Sequence, residues 1–192
     1  MPKNNRFGKA SCWTSPVIKK LRSSLKSPQQ RLIFEISLFT GERMGAIVQL
    51  KVSDVYDETG SVRDTITFAS TTRKSSKHGR AITRQIFIHP ELKVHLENYH
   101  SPEIGYLFPS SSTTGHITAR AVDDYWRRIL TESGYHGYST HSSRRWVINQ
   151  LRTSGIGIVT IAETMAIDIA TVRKYLDKDP VACRNAIATL SV

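Results

Sequence analysis

Apolar residues recur at helical spacing along most of this 192-residue chain, and the pattern breaks once, at two short strand-like runs flanking a polar, basic connection. A helix repeats every 3.6 residues and a strand every two, so the period of each segment dictates which face it can bury. Pro28 opens a helical run with Leu32, Ile33, Ile36 and Phe39 on one face, and Met44, Ile47, Val48 and Leu50 follow after Gly41. The strand-like runs are 65–69 (TITFA) and 82–88 (ITRQIFI), with TTRKSSKHGR between them reading as a long hairpin connection. Helical spacing returns over 91–99, 121–130 and 146–151, the last after Thr140 as an N-cap. A short helix from Gly155, one capped by Asp168 and running to Tyr175, and one opened by Pro180 complete the pattern. The expected fold class is α+β: mainly helical, with one small antiparallel sheet.

Charge narrows the partners. Lys and Arg number 27 against 16 Asp and Glu, a formal net charge of +11. The excess is concentrated in stretches without acid. Residues 1–34 hold Lys3, Arg6, Lys9, Lys19, Lys20, Arg22, Lys26 and Arg31; residues 65–90 hold Arg73, Lys74, Lys77, Arg80 and Arg84; residues 133–162 hold Arg144, Arg145 and Arg152. Fixed positive charge attracts a phosphate backbone and releases its counterions, so nucleic acid is the expected partner over a generically basic surface. Residues 1–27 read as a basic N-terminal arm preceding a domain over 28–192, with a short helix over about 17–25. The longest mostly apolar stretch, 156–162, is far below the roughly 18 residues a membrane span needs. No secretory signal is visible, and Cys12 and Cys183 stand alone without CxxC spacing. A reducing, cytoplasmic setting is expected.

Several chemistries are absent from the motifs. There is no GxxxxGK[ST] loop, no HExxH and no GxSxG elbow, and His89, His95 and His100 miss the spacing of a helical metal pair. Without a DxD-like cluster, a two-metal nuclease site is unsupported. The remaining inventory suits phosphoryl transfer with neither metal nor cofactor. Guanidinium groups stabilise charge on a phosphodiester, tyrosine serves as a covalent nucleophile, and lysine protonates a leaving oxygen.

Three segments, in order, carry a family likeness. FTGERMGAIVQLKVSDV (39–55) resembles the Thr-Gly-x-Arg turn of tyrosine recombinases, or phage integrases; THSSRRW (140–146) resembles their HxxR motif; IATVRKYL (169–176) is similar to the segment carrying their nucleophile. Tyr175 lies 31 residues after Arg144, a separation typical of that family, and the likeness spans about 28–192. It implies the recombinase catalytic domain, with no separate core-binding domain in this chain. Arg43 and Arg144 would clamp the scissile phosphate, and His141 would bond it or move a proton at the tyrosine. Tyr175 would attack to give a 3′-phosphotyrosine. Lys77 in SKHGR would be the general acid, with Lys74 as its rival. Arg73, Lys74, Arg80 and Arg145 would contact DNA. The implied partner is double-stranded DNA, bound by a homotetramer with accessory DNA-bending proteins, for integration, excision or inversion.

Two positions depart from the family pattern. Ala166 stands nine residues before Tyr175, where a histidine or tryptophan of a Leu-Gly-His segment is usual, and Ala46 replaces an acid three places after the first arginine. These departures keep open a catalytically weak DNA-binding or regulatory protein on the same fold. A type IB topoisomerase-like enzyme shares the Arg, Lys and Tyr logic and stays open as well.

Overall fold

The computed structural model describes residues 10–73, 82–176 and Ala188. Eight α-helices and two strands order the described chain: α1 (Ser15–Ser24), α2 (Pro28–Thr40), α3 (Met44–Ile47), β1 (Thr65–Phe68), β2 (Arg84–Phe87), α4 (Pro90–Glu97), α5 (Ala119–Glu132), α6 (His141–Thr153), α7 (Ile158–Met165) and α8 (Ile169–Tyr175). The strands pair antiparallel, Thr65 opposite Phe87 and Phe68 opposite Arg84. The α+β reading holds. The Pro180 helix, apart from Ala188, and the hairpin tip lie outside the described residues.

Local sequence explains the main boundaries. Pro28 takes the first turn of α2, where its missing N–H costs nothing, and Ser27 Oγ accepts from Gln30 N at 3.1 Å. Asp168 caps α8 by accepting from Thr171 N at 2.6 Å. Thr140 is different: its side chain makes no cap bond to α6. Its N–H and Oγ1–H instead donate to Asp123 Oδ1 at 3.0 and 3.3 Å, while Ser139 Oγ accepts from His141 N at 3.3 Å.

Two apolar cores result. The larger gathers Trp13, Val17, Leu21, Leu25, Ile33, Phe34, Ile47, Phe68, Phe108, Trp126 and their neighbours. The smaller joins Ile148, Ile161, Ala162, Met165 and Val172 of α6, α7 and α8, with Tyr175 packed against it. The boundary expected at residue 28 is corrected here. Val17, Leu21 and Leu25 form an i, i+4, i+8 stripe that is fully buried, while Lys19, Lys20 and Lys26 of the same stretch face outward. Trp13 stacks on Tyr138 at 5.3 Å and meets Phe34 and Trp126 edge-on. From residue 10 onward the expected arm is therefore part of the domain, because its apolar stripe needs a core to cover it. One of its charges is spent internally: Arg22 forks onto the buried carboxylate of Glu35 at 2.8 and 2.7 Å.

Candidate active site

The two cores meet at Gly41. Helix α2 ends there in the left-handed conformation, φ 58° and ψ 16°. A Cβ on Gly41 would lie 2.9 Å from Val147 Cβ and 2.9 Å from Met165 Cε. Glycine thus serves twice, by adopting the turn and by letting α6 and α7 close onto α2. Ser143 on α6 reinforces the approach: its Oγ accepts from Trp13 Nε1 at 3.0 Å and lies 3.0 Å from Ser37 Oγ.

This closure buries Arg144 to 1% exposure. Its Nη1 donates to Gly41 O and to Glu42 Oε1, both at 3.3 Å, and its guanidinium carbon sits 5.9 Å from the centre of the Tyr175 ring. Nε and Nη2 of Arg144 are buried without a hydrogen-bond partner among the described residues. Burial pulls the Arg144 pKa down against the opposing pull of Glu42. Arginine nevertheless keeps its proton at neutral pH, so the two free donors stay charged.

Glu42, which sequence reasoning passed over, is the hub. Its Oε1 accepts from Arg43 N at 2.8 Å and from Arg144; its Oε2 accepts from Arg73 Nε at 3.2 Å and Arg84 Nη1 at 3.1 Å. Burial alone would raise its carboxyl, but Arg144, Arg84, the Arg43 N–H and Arg73 together hold it below the ordinary range. Arg84 also donates to Thr164 O at 2.8 Å and Thr40 O at 2.9 Å, and burial brings its pKa down to about 10. Arg73 donates from Nη1 to Ile82 O at 2.8 Å and from Nη2 to Met165 O and Ala166 O. Three buried guanidinium groups face one carboxylate. Carbonyls occupy the surplus donors of Arg73 and Arg84, and Arg144 alone keeps donors to spare.

The other expected residues fall as follows. Arg43 heads α3, half-buried, and its charge is felt at both His141 and Arg144. His141 is the first residue of α6 and exposed as a whole. Its imidazole is nonetheless held below the ordinary value, first by desolvation, with Asp123 pulling the other way and Arg144, Arg43 and Arg127 adding to the depression. Asp123 fixes the start of α6 through Thr140 and is itself tied to Arg127 Nε. Tyr175 ends α8, half-buried, its carbonyl accepting from Asn149 Nδ2 at 3.0 Å. Arg43, His141, Arg144 and Tyr175 are thus brought together from three segments of the sequence, at α3, α6 and α8. Lys74, Lys77 and Arg80 lie outside the described residues.

One expected DNA contact is corrected, and a second has a partner within the chain. Arg73 is no surface residue: its side chain is 3% exposed and used internally, because it closes the hairpin base against Glu42. Arg145 donates from Nη1 to Ala10 O at 2.7 Å and so holds the N-terminal segment. Ala166 is refined too. It adopts φ 47° and ψ 54°, the only left-handed non-glycine among the described residues, and caps α7. It therefore takes the place that suits a glycine, and Ile167, eight residues before Tyr175, follows the cap. Neither side chain carries a donor. A signal for Arg84 was available, since it falls in phase with Ile86 and Ile88 on the inward face of its strand. Glu42 carried no such mark.

Among the described residues no group of three or more His, Cys, Asp or Glu side chains could hold a metal, and no helix is long and apolar enough to cross a membrane. A model of the phage integrase family matches residues 15–181. Among solved structures, the integrase from mycobacterium phage Brujita is 18% identical with a TM-score of 0.64, over 99% of this chain and 66% of that one. XerH site-specific recombinase bound to palindromic difH substrate, a post-cleavage complex, is 19% identical with a TM-score of 0.68, over 98% and 55%. The Tn1549 transposon integrase in complex with a circular intermediate DNA is 14% identical with a TM-score of 0.73, over 98% and 68%. At such identities the likeness is one of fold, and the chain spans only part of each neighbour's length. A search of curated proteins found no match.

Proposed function

The chain belongs to the phage integrase family, and from that premise we propose that it cleaves and rejoins double-stranded DNA at specific sites through a 3′-phosphotyrosine. The observation that carries this reading is the buried Arg144, with two unpartnered charged donors beside the Tyr175 ring. A buried cation left with open donors is costly unless an anion completes it. A phosphodiester supplies that anion and places its phosphorus within reach of the phenol. The XerH and Tn1549 neighbours are DNA complexes, which supports this partner.

In the proposed step, Tyr175 Oη forms a bond to phosphorus and the P–O5′ bond breaks. Arg43 and Arg144 neutralise the non-bridging oxygens as charge builds there. His141, held neutral at pH 7 by its depressed pKa, accepts the phenolic proton or hydrogen-bonds the phosphate. The departing 5′ oxygen takes its proton from a lysine of the hairpin, Lys77 ahead of Lys74. The base of that hairpin is held at the site by Arg73, which bonds both Ile82 O and Glu42. Rejoining runs the same step backward from a 5′ hydroxyl, and one phosphodiester is exchanged for another without a nucleotide cofactor.

The test uses nicked duplexes selected for binding from a randomised pool. Wild type is expected to form a covalent protein–DNA adduct, and Tyr175→Phe to form none; an adduct that persists in Tyr175→Phe refutes the assignment. Replacing the bridging 5′ oxygen by sulfur removes the need for a general acid, so it should restore Lys77→Ala while leaving Arg144→Ala inactive. A second reading, a DNA-binding regulator on the same fold, is favoured by the donor-less Ala166 and Ile167; site-specific binding without any adduct selects it.

A further inference from the structure

One carboxylate joins several separate segments at this site. Glu42 binds Arg144 through Oε1 and both Arg73 and Arg84 through Oε2, and those two arginines flank the hairpin in the chain. The same arginines reach across to Thr164 O, Met165 O and Ala166 O, where the C-terminal carbonyls of α7 carry partial negative charge. Helix α7 in turn packs on α8, which ends in Tyr175. Among the described residues, the four hydrogen bonds to the Glu42 carboxylate come from a backbone N–H or a guanidinium, and its side chain is fully buried.

We propose that Glu42 is the positioning residue of the active site, holding Arg144, the hairpin base and the α7–α8 segment in one frame. It supplies the support that the acid missing at Ala46 would otherwise give. Ala46 is itself 1% exposed, so its methyl group fills the space on α3 while the carboxylate arrives from the preceding turn. The proposal rests on the reading above that Tyr175 attacks a phosphate held by Arg144. Without the Glu42 carboxylate, Arg144 loses the only charged acceptor it has among the described residues, and its free donors lose their aim.

The test compares the full chain with Glu42→Gln and Glu42→Asp, each measured below its own unfolding midpoint. DNA affinity is read by fluorescence anisotropy on the selected nicked duplex, and chemistry by the single-turnover rate of adduct formation at saturating DNA. Glu42→Gln is expected to keep its affinity while the adduct rate falls about 100-fold, the scale of losing one aligned donor to a developing oxyanion. Glu42→Asp keeps the charge but is one methylene short, and the rate should fall about 10-fold, since misplacements of order 1 Å are costly. Unchanged rates in the folded variants, or a rate loss matched by an equal loss of affinity, overturn the proposal. Should wild type form no adduct, the reading of Tyr175 fails. Glu42 is then judged by the Arg144 Nε–H resonance in NMR spectra of free protein, assigned with Arg144→Lys. A shifted and broadened resonance in Glu42→Asp or Glu42→Gln supports the positioning role, and an unchanged one overturns it.

Discussion

Replacing Gly41 with alanine isolates the contact on which the site depends. The residue sits at φ 58°, where an L side chain costs about 1–2 kcal/mol. The new methyl group would lie 2.9 Å from Val147 Cβ, an atom fixed to the α6 backbone, and 2.9 Å from Met165 Cε, the free end of a flexible side chain. Met165 can swing aside; Val147 Cβ moves only if α6 moves, and overpacking of that kind costs about 1–3 kcal/mol. The unfolded state returns part of this, because alanine has less conformational freedom to lose than glycine. The net loss is about 1.5–4 kcal/mol, a large share of the 5–15 kcal/mol that holds a typical domain. Urea unfolding of Gly41→Ala and Gly41→Asn measures it. Asparagine tolerates the left-handed region, so if φ were the only constraint it would rescue most of the loss. The packing argument expects both variants to be strongly destabilised, with Met165→Ala giving no relief. A loss below about 1 kcal/mol in Gly41→Ala, or near-wild-type stability in Gly41→Asn, refutes the close approach of α6.

Other expectations follow from the same geometry. Ala166→Gly relieves a left-handed alanine and should stabilise the fold by about 0.5–1 kcal/mol net of backbone entropy, read as a Tm about 1–4 °C higher. Trp13→Ala empties the centre of the aromatic cluster and should lower Tm by about 6–20 °C; a change within error would restore a separate N-terminal arm. Stability should also fall on acidification. The folded-state values of Glu42 and Asp123 lie below their ordinary 4.5 and 3.8, so their contribution is full above those values and is lost as pH falls through the depressed ones. His141 acts in the same direction from 6.5 downward, since the unfolded chain takes up a proton that the folded site resists. Urea midpoints across about pH 3 to 8 test this, and a midpoint that rises on acidification contradicts it.

Much of this molecule was legible in its residues because local rules decide it. The two strand-like runs, the Pro28 start of α2 and the Asp168 cap of α8 each depend on a few neighbouring atoms, and each is found where periodicity and capping chemistry put it. The roles expected of Arg43, His141, Arg144 and Tyr175 came instead from the resemblance of three short segments to tyrosine recombinases. Charge was less reliable. An acid-free stretch says nothing about which of its cations are free for a partner: Arg73 turned inward to Glu42, 31 residues away in sequence, and the partly exposed Arg22 pairs with the buried Glu35, 13 residues away. The hub at Glu42 is the clearest case of what tertiary structure alone decided. A glutamate beside an arginine in a turn looks like an exposed pair. It became buried, and met three guanidinium groups, because Gly41 let α6 and α7 close over it. Short motifs in the sequence marked the family; the close packing at Gly41 decided which carboxylate the buried arginines meet.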